Sequence, residues 1–66
     1  MCEGSLVAVR KDIQGIGIPT SEGPLEPKDY EGKHFESRDI EETPEGFTIE
    51  IKVGGKWVKA CNIDFE

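Results

Sequence analysis

Residues 46–66 read GFTIEIKVGGKWVKACNIDFE, and this stretch decides the fold. Phe47, Ile49, Ile51 and Val53 alternate with Thr48, Glu50 and Lys52 at period two, the spacing that sends apolar side chains to one face of a strand. Gly54 and Gly55 follow. Glycine reaches positive φ without a Cβ clash, so the pair predicts a two-residue hairpin turn and a second strand returning from Lys56. That turn sets the register: Val53 opposite Lys56, Lys52 opposite Trp57, Ile51 opposite Val58, Glu50 opposite Lys59, Ile49 opposite Ala60 and Thr48 opposite Cys61. A slip of one residue would turn lysine toward the core.

The register has a second consequence. Trp57, Cys61, Ile63 and Phe65 fall on the face opposite the Ile49–Ile51 stripe, so the hairpin is apolar on both sides. Either the middle of the chain covers this second face with Leu25, Tyr30 and Phe35, or the face is an exposed patch of the kind that marks an interaction site. The expected core centres on Phe47, Ile49, Ile51, Val53, Val58 and Ala60, with Val7 or Leu6 and Ile40 added.

Working outward, Ser5 to Ile18 carries SLVAVR and IQGIGI, two β-branched runs separated by charged residues, which read as a strand, a turn and a second short strand. Pro19 to Gly32 holds three of the four prolines and no apolar period. It reads as a long loop with a helical turn at Lys28 to Glu31. Residues 36–50 carry Glu36, Asp39, Glu41, Glu42, Glu45 and Glu50 against Arg38 alone, a local charge of −5. One reading is a solvated loop or edge strand kept soluble by like charge. The other is a surface that steers toward a basic partner and repels nucleic acid. The fold class expected is all-β: one domain over 1–66, with four or five short strands in a meander forming a small SH3-like barrel or a twisted antiparallel sheet.

Size and composition bound the function. Sixty-six residues bury too little surface to enclose a large active site, and Leu, Ile, Val and Phe make up only 24% of the chain. The net charge of −6 argues against counterion-release binding to phosphate backbones. No run of 18 apolar residues exists, and the first ten residues lack the basic start of a secretory signal, so a cytoplasmic location without membrane contact is the expectation. Cys2 and Cys61 are then expected as reduced thiols.

Chemical groups are few. His34 is the only histidine, which makes a triad improbable, and the two glycines of IQGIGI lack the third glycine and following helix of a phosphate cradle. A zinc site from Cys2, His34, Cys61 and a carboxylate has no established spacing. Cys2 stands apart, because a thiolate beside the chain terminus can chelate a borderline metal together with backbone nitrogen, a donor set suited to Ni(II) or Cu(II).

The opening MCEGSLVAVR resembles the first strand of the CooT-type small nickel-binding proteins, and PEGFTIEIKVGGKWVKACNIDFE is loosely similar to their later strands, although the last one stops early here. The resemblance covers about half of the chain, and Pro19 to Gly32 stands as an insertion relative to that family. It implies an SH3-like barrel, a homodimer and nickel held by Cys2, the one functional position that carries over.

Read from its residues, the chain is a non-enzymatic, small acidic protein-binding module, an inhibitor or docking protein for a partner with a basic surface, without a cofactor. Glu36, Asp39, Glu41, Glu42, Glu45, Trp57 and Phe65 are its expected contact residues. The alternative is a CooT-like nickel-binding homodimer using Cys2.

Overall fold

In the computed structural model, which describes residues 5–66, four strands form one antiparallel sheet in sequential order. They are β1 (Ser5–Val7), β2 (Phe35–Asp39), β3 (Ile49–Val53) and β4 (Lys56–Ala60). A four-residue helix, α1 (Pro27–Tyr30), lies in the long β1–β2 connection, where the sequence predicts a helical turn. Short 3-10 turns occupy Lys11–Ile13 and Asn62–Asp64.

The β3–β4 hairpin forms in the expected register, with Val53, Lys52, Ile51, Glu50 and Ile49 opposite Lys56, Trp57, Val58, Lys59 and Ala60. Gly54 and Gly55 turn the chain at φ of 60° and 81°, in the region an L side chain rarely adopts. The ladder ends one pair earlier than the alternation suggests, so Thr48 does not face Cys61. The Thr48 amide donates to the Ala60 carbonyl, while its hydroxyl donates to Asn62 Oδ1 and accepts from the Asn62 amide, starting the 3-10 turn.

That turn also resets the side-chain phase. Phe65, expected on the Trp57 face, is instead buried in the core, and Ile63 points to solvent. Phe65 bridges Val9, and the Ala8 and Glu66 amides each donate to the other residue's carbonyl, at 3.0 and 2.8 Å. After the three-stranded meander and the 3-10 turn, the chain returns to the continuation of the first strand. Here the return is a single bridge, so the sheet is not closed.

The core lies on one face of the sheet. Val9, Ile18, Leu25, Tyr30, Phe35, Ile49, Ile51, Val58, Ala60 and Phe65 form it, with Val7, Ile13 and Val53 packed at its margin. Leu25, Tyr30 and Phe35 therefore join Ile51 and leave the Trp57 side uncovered by them. Val7 takes the inward position, while Leu6 is exposed. Phe47 and Ile40 are half-buried and lie outside the core cluster, because β3 begins only at Ile49.

The second short strand expected in IQGIGI is absent. Gly15 adopts φ of 101°, Ile16 is exposed, and only Ile18 reaches the core, held by paired backbone hydrogen bonds with Leu25 at 3.0 and 2.7 Å. Tyr30, 1% exposed, fastens this segment: its hydroxyl donates to the Ile16 carbonyl at 2.6 Å and accepts from the Gly15 amide at 2.9 Å. Tyr30→Phe keeps the ring and removes both bonds, so it should cost about 1–2 kcal/mol. Denaturant titration should show the midpoint falling at unchanged slope; an unmoved midpoint would mean the hydroxyl anchors nothing.

The acidic stretch contains more structure than a solvated loop or edge. Its first residues build β2, an interior strand between β1 and β3, with Phe35 and Ser37 buried and Glu36, Arg38 and Asp39 exposed. Ser37 tolerates burial because its hydroxyl donates to the Ser5 carbonyl at 3.1 Å.

Candidate functional site

Two surfaces carry the residues that the sequence singles out. The first is the outer face of the sheet. Strand alternation places Arg38 opposite Glu50 and Glu50 opposite Lys59, while Lys52 stands opposite Trp57. The Arg38 guanidinium donates to Glu50 at 2.7 Å, and Lys59 approaches the other oxygen of Glu50 at 3.6 Å. Arg38 also stacks over the Trp57 ring at 4.0 Å, with the Lys52 ammonium 5.9 Å from the ring centroid. Trp57 is consequently half-buried beneath cations, an arrangement worth about 0.5–1 kcal/mol at an exposed site. Glu36 lies on the same face of β2 and pairs with Leu6 across the ladder.

The second surface is the β2–β3 connection, residues 40–48. Glu41, Glu42 and Glu45 are exposed there, and Asp39 is exposed at the end of β2. Among the described residues none of these four, nor Glu36, forms an ion pair, whereas Glu50 is held by two cations. Glu45 sits on a built turn, and Glu41 and Glu42 lead into it. The Gly46 amide donates to the Thr43 carbonyl at 2.8 Å, the Thr43 amide to the Phe47 carbonyl at 3.0 Å, and the Phe47 amide to the Thr43 hydroxyl at 3.1 Å. Gly46 supplies the positive φ, 95°, that closes this Thr-Pro-Glu-Gly turn.

Trp57 and the acidic connection lie toward opposite ends of β3. Trp57 pairs with Lys52, three residues or about 10 Å from Ile49, where the acidic connection joins the strand. The structure therefore separates Trp57 from Glu41, Glu42 and Glu45, and places Phe65 on the far side of the sheet in the core.

Cys61 ties the connection to the chain beyond β4, its thiol donating to the Gly46 carbonyl at 3.1 Å. Burial pushes the thiol pKa up, and the neighbouring charges of Asp64 and Glu42 add to this. The thiolate is the reactive form, so Cys61 should alkylate more slowly at pH 8 than a free cysteine peptide, and Glu42→Gln should speed it. Iodoacetamide kinetics in a Cys2→Ser background measure this directly; a rate equal to the free peptide's would contradict the half-buried, hydrogen-bonded thiol. Cys2 itself, the expected nickel ligand, lies outside the described residues. Among the described residues no three His, Cys, Asp or Glu side chains gather as a metal site, and His34 is exposed just before β2.

Between the acidic turn and the long β1–β2 connection runs an open groove of about 590 Å³. Thr20 and Ser21 line one side, Thr43 to Glu45 and Phe47 the other, with Lys59 between them. The Thr20 wall is fixed to the edge of β4: the Ser21 amide donates to the Lys59 carbonyl and the Lys59 amide to the Ser21 hydroxyl, both at 3.0 Å. Nothing in the linear sequence joins Thr20 to Thr43. Only the Pro-Glu-Gly of the acidic turn is readable in advance as a local signal.

No helix among the described residues is long and apolar enough to cross a membrane. The sequence matches no family model, and comparison with curated proteins and with solved structures gives no match either.

Proposed function

We propose that this protein is a non-enzymatic binding module that docks onto a basic protein surface through its β2–β3 connection. One observation carries the reading: Asp39, Glu41, Glu42 and Glu45 project from an internally hydrogen-bonded segment without cation partners among the described residues. Unpaired acids on and beside a pre-ordered turn are available to a partner's lysines and arginines at little ordering cost. Trp57 has a structural part in this account, as the platform on which Arg38 is held while it neutralises Glu50. A module of this kind acts as an inhibitor or a docking protein, by occupying the basic surface on which its partner depends.

The test uses calorimetric titration with an oligolysine peptide. Binding should weaken as salt rises and should be lost when Glu41 and Glu42 are both changed to lysine. Binding that ignores this change would overturn the reading.

A further inference from the structure

The groove beside the acidic turn has features that charge alone does not require. Its lining combines the half-buried Phe47 and the exposed Pro44 with the hydroxyl-bearing Thr20, Ser21 and Thr43. Both walls are already built, one by the hydrogen bonds of Ser21 to β4 and the other by those around Thr43. A further turn, in which the Thr20 hydroxyl accepts from the Glu22 amide and the Gly23 amide donates to the Thr20 carbonyl, stiffens the first wall. An occupant would thus meet a preformed channel and would not have to order two loops.

Charge states what that occupant is. Glu45 lies in the groove wall and Glu42 immediately precedes Thr43, whereas Glu22, which follows Ser21, is already paired with Lys56 at 3.2 Å. The one cation in the lining, Lys59, has its ammonium directed to Glu50 at 3.6 Å. The groove therefore joins apolar and hydroxyl-bearing surface to an acidic margin on the Thr43–Glu45 side. Its volume falls within the roughly 300–1,000 Å³ of ligand-binding clefts, and its open form suits a segment of chain that enters and leaves.

We infer that this groove seats an extended peptide segment of the partner in which an apolar side chain lies among lysines or arginines. The apolar residue packs on Phe47 and Pro44, and the neighbouring cations reach Glu45 and Glu42. This rests on the docking function proposed above and adds to it a specific seat and a sequence preference.

Two peptides of equal net charge separate the two ideas: oligolysine, and a peptide in which leucines are interleaved among the lysines. Binding is followed through the amide resonances of the isotope-labelled protein. The leucine–lysine peptide should bind about tenfold tighter and should shift Thr20, Ser21 and Phe47 together with the acidic turn. Phe47→Ala should erase its advantage, bringing the two peptides to equal affinity on that variant. Pro44→Ala, at an exposed position, should reduce the advantage even where Phe47→Ala fails to fold. Equal affinities with shifts confined to residues 39–46 would overturn the groove and leave the docking function standing. Tighter binding mapped to the Trp57 face would overturn the groove as well. Failure of both peptides to bind would overturn both ideas.

Discussion

Replacing Ile51 with alanine is expected to bring the protein to the edge of unfolding at room temperature. Ile51 is fully buried, sits in the middle of β3 between β2 and β4, and pairs with Ser37 on one side and Val58 on the other. A large-to-small change at such a site loses the transfer free energy of the deleted atoms and leaves a cavity, about 2–5 kcal/mol in all. A chain of 66 residues has only about 3–10 kcal/mol of total stability at the usual per-residue value. The thermal midpoint should therefore fall by roughly 10–30 °C. Leu6→Ala, at a side chain 68% exposed on the outer face of β1, should change stability by no more than about 0.5 kcal/mol. An unchanged midpoint for Ile51→Ala would mean that the hairpin register, and with it the assignment of inner and outer faces, is wrong.

The second large effect is functional. Reversing Glu41 and Glu42 to lysine adds two units of charge at each position, so the net charge moves from −6 to −2. Exposed charge pairs contribute about 0.2–1 kcal/mol each, and reversal turns attraction into repulsion, so affinity for a basic peptide should fall about tenfold or more. The loss should appear chiefly in the association rate and in a flatter salt dependence. A control separates local from global charge. Glu26 and Glu31 flank α1, are exposed and form no ion pair among the described residues, so reversing both gives the same net charge of −2. That control should keep most of the binding. Equal losses in the two double variants would show that only total charge matters and that residues 39–45 form no site. Both variants should melt near the wild-type temperature, since all four residues are exposed and lie outside the core cluster.

Much of the fold is legible in the sequence where local chemistry and global packing agree. The Phe47–Val53 alternation and the two glycines after it specify the β3–β4 hairpin, because a slipped register would bury lysine. Lys28 to Glu31 reads as a helical turn, and α1 forms over Pro27–Tyr30 with proline in its first turn. Legibility ends where pattern and packing part. β2 has the sequence FESRD, whose inward positions are Phe35 and Ser37. A buried serine satisfied by a β1 carbonyl has no signature in a hydrophobic pattern. The phase of Phe65 is lost for a related reason: extrapolating period two from Trp57 runs through a 3-10 turn, after which the side chain faces inward.

The candidate site is only partly readable, and the reason is physical. Glu41, Glu42 and Glu45 stand out by composition, and the structure leaves them exposed and without ion-pair partners among the described residues. Trp57 stands out as the single tryptophan, yet its surroundings on β2 and β3 decide its role, and those are tertiary: Arg38 above the ring and Glu50 beside Arg38. The groove is the least legible part. Thr20 and Thr43 are 23 positions apart, and they meet only because the Ser21 backbone docks on the edge of β4.

The most direct test of the docking account is an amide shift map of the wild-type protein titrated with oligolysine at low salt. The account predicts shifts concentrated at residues 39–46, small changes at Trp57 and the β3–β4 turn, and reversal of the whole pattern on raising the salt. Shifts concentrated around Arg38, Lys52 and Trp57, or spread evenly over all exposed acids, would contradict it.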